Sequence, residues 1–100
     1  MVRSRPTELP IPTNVNTDQT AIEILRVWTG SGVTVTLAPS AFENSACWGL
    51  VLMDVARHAA RAISQSNGEP AEAALANILK GFDAERAFPT DSPTGSISQS

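Results

Sequence analysis

The stretch AIEILRVWTGSGVTVTL, residues 21–37, decides the fold. Two runs rich in Ile, Val, Thr and Trp, residues 21–29 and 33–37, flank the Gly-Ser-Gly segment at 30–32. Such residues favour strands, and a short glycine-containing turn joins antiparallel strands. In the second run, valine and leucine alternate with threonine, as in a strand with one buried face. The stretch therefore predicts a β-hairpin.

The register of this hairpin has two solutions. If Trp28 pairs with Val33, Trp28 shares the face of the second strand's apolar residues. If the loop has three residues and a glycine bulge, Leu25 and Val27 take that face and Trp28 turns to the other. In both cases the first strand carries large apolar side chains on both faces, which is typical of a strand covered on both sides.

A long amphipathic helix follows the hairpin. Ser40 and Glu43 have the spacing of a capping box, and Asn44 is a second candidate for the N-cap. We expect the helix to run to about Ser66 and to end at the Asn-Gly pair 67–68. Its apolar face comprises Trp48, Val51, Leu52, Val55, Ala56, Ala59, Ala62 and Ile63.

A second helix is predicted to open at Pro70 and Glu72 and to stop near Phe88, which precedes a proline. Its helically spaced apolar residues are Ala71, Ala74, Leu75, Ile78, Leu79 and Phe82. The fold class is therefore α+β, a β-hairpin followed by two helices packed on one face of the sheet, in the order ββαα.

The two ends of the chain differ in composition from its middle. Residues 1–20 are rich in proline and small polar residues, and we expect an extended N-terminal arm. Residues 89–100 contain one large apolar residue and are predicted to form a disordered C-terminal tail. A single domain over residues 21–88 remains.

This domain is expected to need a partner. A two-stranded hairpin is marginally stable alone, and two helices on one face leave its strand edges open. Self-association into a homodimer or larger assembly would extend the sheet, and another protein is the second possible partner. The candidate interface residues are Trp28, together with Cys47 and Leu50, which lie off the apolar face near the start of the long helix.

Charge and composition exclude several functions. The chain has 7 basic and 10 acidic residues, a net charge of −3, so neither nucleic acid nor an anionic membrane surface is an expected partner. The longest uncharged apolar run, residues 46–53, is far shorter than the ~20 residues that span a bilayer, and no secretory signal is visible, so we expect a cytoplasmic protein. Within one chain, a single cysteine and a single histidine cannot form a disulfide or a tetrahedral zinc site, and no cofactor motif occurs.

One polar cluster is a candidate site. Asp54, His58 and Arg61 follow one stripe of the long helix, with Arg57 beside it. A carboxylate that orients an imidazole is an acid–base arrangement, but the same spacing commonly pairs charges on a solvated helix. Separately, Arg26 lies between apolar neighbours and needs a carboxylate partner if it is buried, for which Glu23, Asp54 and Glu85 are candidates.

Four segments carry a resemblance to a known family. They are IEILRVW at 22–28, ACWGL at 46–50, LMDVARH at 52–58 and GFDAE at 81–85. Over residues 21–88 the chain resembles a family of small alphaproteobacterial proteins grouped as a domain of unknown function. Cys47, where the family has a small residue, and Arg86, where it has an aromatic one, are departures. The resemblance implies a bacterial cytoplasmic protein of this size and assigns no functional residues.

The sequence thus favours a small non-enzymatic interaction or assembly module that associates with itself. The alternative is a small-molecule-binding or catalytic protein whose site lies at a subunit interface near Asp54, His58, Arg57 and Arg61. No sequence motif decides whether the protein is an enzyme.

Overall fold

The computed structural model describes residues 7–89 and 97–99. Its elements are α1 (Thr13–Asn16), β1 (Leu25–Thr29), β2 (Val33–Leu37), a 3₁₀ turn (Pro39–Ala41), α2 (Ala46–Asn67), α3 (Ala71–Ala87) and β3 (Ile97–Gln99). The predicted α+β class and the ββαα order are confirmed.

The hairpin takes the second of the two registers. β1 and β2 are antiparallel, Thr29 is opposite Val33, and the loop between them is residues 30–32. The Gly30 amide donates a hydrogen bond of 2.9 Å to the Gly32 carbonyl, and neither glycine has a positive φ. Trp28 is opposite Thr34, so it lies on the face that does not carry the alternating apolar residues of β2.

A third strand joins the sheet from the C-terminal segment. β3 pairs with β2 in parallel, giving the strand order β1-β2-β3. β3 lies within residues 89–100, the segment expected to be a disordered tail, and residues 90–96 and 100 of that segment lie outside the described residues. Strand pairing uses main-chain groups that every non-proline residue carries, so the polar composition of this segment gave no sign of it.

The ends of α2 follow the polar residues of the sequence. Of the two predicted start signals, Asn44 is the one used, because its side-chain oxygen accepts a hydrogen bond of 2.9 Å from the Ala46 amide. Ser40 lies upstream in the 3₁₀ turn. The predicted end is confirmed: Gly68 has a left-handed φ of 79°, and its amide donates to the Ser64 carbonyl at 2.9 Å.

α2 and α3 form a helical hairpin around a seam of small side chains. Ala60 and Ala74 are each 2% exposed and are the buried residues of the described chain. Small side chains let two helix backbones approach closely, which fixes the face that each helix turns to the other. α3 also has Glu72 in its first turn and Arg86 in its last, charges that complement the helix dipole.

Part of the apolar surface of the helices and of the sheet is exposed. The most extensive contacts between described elements are those of α2 with α3, β1 with β2 and β2 with β3. The alanine seam occupies the inner face of α2, so part of the predicted apolar face remains uncovered. Leu52 and Val55 of that face are exposed, as are Val27 and Val33 of the hairpin. Large apolar side chains of both the hairpin and α2 thus reach the surface of the described chain.

The described part of the N-terminal arm, residues 7–20, is exposed along its length and contains the single turn α1 rather than being extended throughout. After this turn, the Asp18 carboxylate accepts hydrogen bonds from the Thr20 hydroxyl at 2.6 Å and the Thr20 amide at 2.9 Å. These bonds favour the ionised carboxylate, the hydroxyl bond most, and lower the pKa of Asp18. Residues 1–6 lie outside the described residues.

Two glycine-to-alanine substitutions are expected to act in opposite directions. Gly68→Ala should lower the free energy of unfolding by about 1 kcal/mol, because alanine is strained at the positive φ of this helix cap. Gly81→Ala, inside α3 with open space around the position, should raise it by about 0.5–1 kcal/mol. Urea unfolding followed by circular dichroism measures both, and equal effects of the two changes would contradict the assignment of the cap.

The pKa of Asp18 provides a test of the arm. Thr20→Val removes the hydroxyl that hydrogen-bonds to Asp18 and retains the amide, so the Asp18 pKa should rise toward that of an ordinary aspartate. Because the native pKa is depressed, the turn is stabilised above the unfolded pKa and loses this contribution as the pH falls through the folded pKa. A carboxyl-carbon NMR titration measures the shift. Thr17→Val is the control, since the Thr17 hydroxyl bonds to main-chain carbonyls and not to Asp18.

Candidate functional site

The candidate polar cluster lies on the outer surface of α2. His58 Nε2 is 3.2 Å from Asp54 Oδ2, one helical turn away, so the predicted pairing of these two side chains forms. Both side chains are 66% exposed. Arg57 and Arg61 are exposed on the same helix and form no ion pair with any described residue. The structure brings two of the four predicted residues together.

The Asp54–His58 pair has the elements of acid–base chemistry without an enclosing site. A general base works best where water is excluded and a substrate is positioned against it. Here the surface around the pair is open, and an exposed pair at i,i+4 contributes a few tenths of a kcal/mol to the helix. Within the described residues, no group of three or more His, Cys, Asp or Glu side chains is placed to hold a metal ion.

The three candidate interface residues lie on two elements. Trp28 is half-buried in β1, and the Arg26 guanidinium lies over its ring at 5.7 Å from the centroid. Cys47 is a half-buried free thiol in the first turn of α2, and Leu50, in the next turn, is 73% exposed. Trp48, predicted to lie in the core, is half-buried and makes an edge-to-face contact with Phe42 at 5.4 Å between centroids.

Arg26 is the centre of the most connected polar group in the described structure. Its Nε donates to Glu23 Oε2 at 2.6 Å, and its Nη1 donates to Glu8 Oε2 at 3.1 Å. The pKa of Arg26 is raised mainly by the hydrogen bond and the negative charge of Glu23, and to a smaller extent by Glu8. Glu23 was one of the predicted partners. Glu8 was not, because an exposed arm 18 residues away gives no sequence signal of where its side chain lies.

An open cleft of about 360 Å³ lies beside this arginine. Its lining residues are Glu23, Ile24, Leu25, Arg26, Trp28, Thr36, Leu37 and Ala38. The volume falls within the lower range of small-molecule pockets. Because two carboxylates already neutralise Arg26, the cleft lacks the free positive charge that would select an anion.

No helix in residues 7–89 and 97–99 combines the length and the apolar character that crossing a membrane requires.

Comparisons with known proteins give a family and a similar solved structure. The model of a family described as a domain of unknown function (DUF5076) matches residues 8–90. The resemblance inferred from the four sequence segments is thereby confirmed, and the match also includes most of the N-terminal arm. The matched range contains the Asp54–His58 pair, the cleft and both glutamates that contact Arg26.

A solved structure from the photosynthetic bacterium Rhodopseudomonas palustrus CGA009, described provisionally as a pyruvate dehydrogenase, is similar to this chain. The two are 36% identical, with a TM-score of 0.72, and the similarity covers 97% of this chain and 100% of the other. No curated protein matches the chain.

The exposed acid–imidazole pair is expected to contribute little to stability. His58→Gln, Asp54→Asn and the double variant should each change the free energy of unfolding by less than about 0.5 kcal/mol, because water solvates both groups. Chemical unfolding of the four proteins at pH 6 completes the double-mutant cycle. A coupling above about 2 kcal/mol would show that the pair is buried in the working form of the protein.

Proposed function

The chain belongs to the family of the domain of unknown function DUF5076, and we propose that it is a small, non-enzymatic interaction and assembly module that works as a homo-oligomer. This function rests on the surface that the fold leaves uncovered.

One observation carries the proposal. The buried residues of the described chain are two alanines, whereas large apolar side chains on the strands and on both helices remain exposed. Large contiguous apolar patches on a folded domain mark surfaces that bind a partner. The exposed apolar residues of the sheet and helices are Val27, Val33, Leu50, Leu52, Val55, Ile63 and Phe82. A second copy of the chain brings an equal set of apolar side chains to the contact.

The alternative function, a small-molecule or catalytic site at a subunit interface, rests on the contact between Asp54 and His58. A second subunit over this pair would supply the enclosure that one chain lacks. We do not extend the enzymatic description of the Rhodopseudomonas structure to this chain, because both side chains of its acid–imidazole pair are largely in solvent. Ligand-independent assembly supports the first function, and the coupling measured in the double-mutant cycle tests the alternative.

We also place the protein in a bacterial cytoplasm, with itself as the main partner and another protein as the second candidate. The bacterial source of the similar structure supports a bacterial origin for this chain. A free Cys47 thiol is consistent with a reducing compartment. The net charge of −3 argues against nucleic acid and against an anionic membrane surface as partners.

Light scattering behind a sizing column tests the assembly. We expect the wild-type protein to be a dimer or larger at micromolar concentration in the presence of reductant. Val55→Asp should raise the dissociation constant by roughly tenfold or more, because it places an unpaired carboxylate on an apolar surface that association would bury. Gln65→Asp, on an exposed polar position of the same helix, is the matched control and should leave the mass unchanged.

A wild-type monomer across the whole concentration range would overturn the proposed homo-oligomer. Circular dichroism of each variant separates loss of association from loss of folding.

A further inference from the structure

The cleft beside Arg26 is lined by both apolar and charged groups of one hairpin face. Ile24, Arg26 and Trp28 alternate along the first strand and its N-terminal extension, so their side chains lie on the same face. The Ala38 amide donates a hydrogen bond of 3.0 Å to the Ile24 carbonyl. The pairing of the two strands therefore continues past β1, into the residues that line the cleft.

The charged part of the lining has a donor and an acceptor available to a ligand. Arg26 uses Nε for Glu23 and Nη1 for Glu8, and within the described residues no group accepts a hydrogen bond from its Nη2. Glu23 binds Arg26 through Oε2, while its Oε1 accepts no hydrogen bond from the described part of the chain. The side chains of Arg26 and Glu23 are 41% and 57% exposed. A molecule in the cleft can therefore reach a guanidinium and a carboxylate at once.

The contact of Glu8 places a carboxylate from outside the hairpin on the end of Arg26. Glu8 belongs to the exposed N-terminal arm, 18 residues away in the sequence, and its Oε2 lies 3.1 Å from Nη1. This contact is a single hydrogen bond, whereas a guanidinium binds a well-placed carboxylate through two parallel bonds. A ligand carboxylate that uses both Nη1 and Nη2 can therefore replace Glu8 on Arg26.

The charges of this group favour a ligand that carries both signs. Arg26, Glu23 and Glu8 contribute one positive and two negative charges, a net charge of −1, which repels a simple anion. The guanidinium in turn repels a simple cation. A zwitterion pairs its carboxylate with Arg26 and its ammonium with Glu23, so each charge meets its opposite. An α-amino acid carries these two groups on one carbon, which suits two partners joined by a hydrogen bond of 2.6 Å.

The remaining lining and the volume limit the rest of the ligand. Ile24, Leu37 and Ala38 give the cleft an aliphatic surface, and Trp28 adds an aromatic one. A volume of about 360 Å³ lies at the lower end of the range of small-molecule pockets. The cleft therefore suits a ligand of the size of an amino acid, with an apolar side chain.

We propose that the cleft binds a small zwitterion with an apolar side chain, of the class of the aliphatic α-amino acids. Its carboxylate displaces Glu8 from Arg26, its ammonium binds Glu23, and its side chain lies against the apolar lining. The site is formed by a single chain, so it goes beyond the proposed homo-oligomer and does not depend on it.

NMR titration of the isotopically labelled protein with three related probes tests the ligand class. L-leucine carries both charges, 4-methylpentanoate lacks the ammonium group, and 3-methylbutylamine lacks the carboxylate. We expect leucine to shift the Trp28 indole signal and the Ala38 amide signal, and to bind at least about tenfold more tightly than either other probe. Equal affinity for 4-methylpentanoate or for 3-methylbutylamine would overturn the zwitterion site. Unchanged spectra up to about 10 mM leucine would do the same.

Two glutamate-to-glutamine variants should change the affinity for leucine in opposite directions. Glu23→Gln removes the partner of the ammonium and should weaken binding by about tenfold, whereas Glu8→Gln removes the competing carboxylate and should tighten it by about threefold. Glu72→Gln, at an exposed position in the first turn of α3, is the matched control and should leave the affinity unchanged.

A general effect of protein charge on binding would move the affinity in the same direction in Glu23→Gln and Glu8→Gln. That result would overturn the proposed site, as would shifts confined to residues outside the cleft. The amide spectrum of each variant also shows whether the fold is retained, so loss of binding is separated from loss of folding.

Discussion

The packing of α2 against α3, which buries Ala60 and Ala74, is the constraint on which the rest of the structure depends. Because the smallest side chains of α2 face α3, its larger aliphatic residues are rotated away from the seam. The two helices thus pack against each other, while larger aliphatic side chains of α2 lie outside their contact. Leu52 and Val55 are about half exposed.

The sheet likewise has an apolar face with exposed side chains. Its register puts Val27 and Val33 on an apolar face, and the opposite face carries the contacts of Arg26 with two glutamates and Trp28 beside an open cleft. The N-terminal arm supplies Glu8 to this group, which is consistent with a family match that begins at residue 8 rather than at the first strand. The arm therefore contributes to the polar face, while Val27 and Val33 of the apolar face are exposed.

The candidate site was predictable in part. An aspartate and a histidine four residues apart on a helix meet whatever the surroundings, so the contact between Asp54 and His58 follows from helix geometry. Whether such a pair is enclosed depends on what packs over α2, and helix periodicity contains no information on that. The same limit explains Glu8, whose contact with Arg26 joins segments distant in the sequence.

The sequence by itself determined the elements and their order. Four local signals act through contacts within a few residues, and each lies where the sequence predicts it. They are the alternating valines and threonines of β2, Asn44 at the start of α2, Gly68 at its end and the proline after Phe88. Only the tertiary structure decided the hairpin register, the addition of β3 and which apolar side chains of α2 stay exposed. These depend on main-chain pairing and on competition between apolar faces of similar composition, for which neighbouring residues carry no signal.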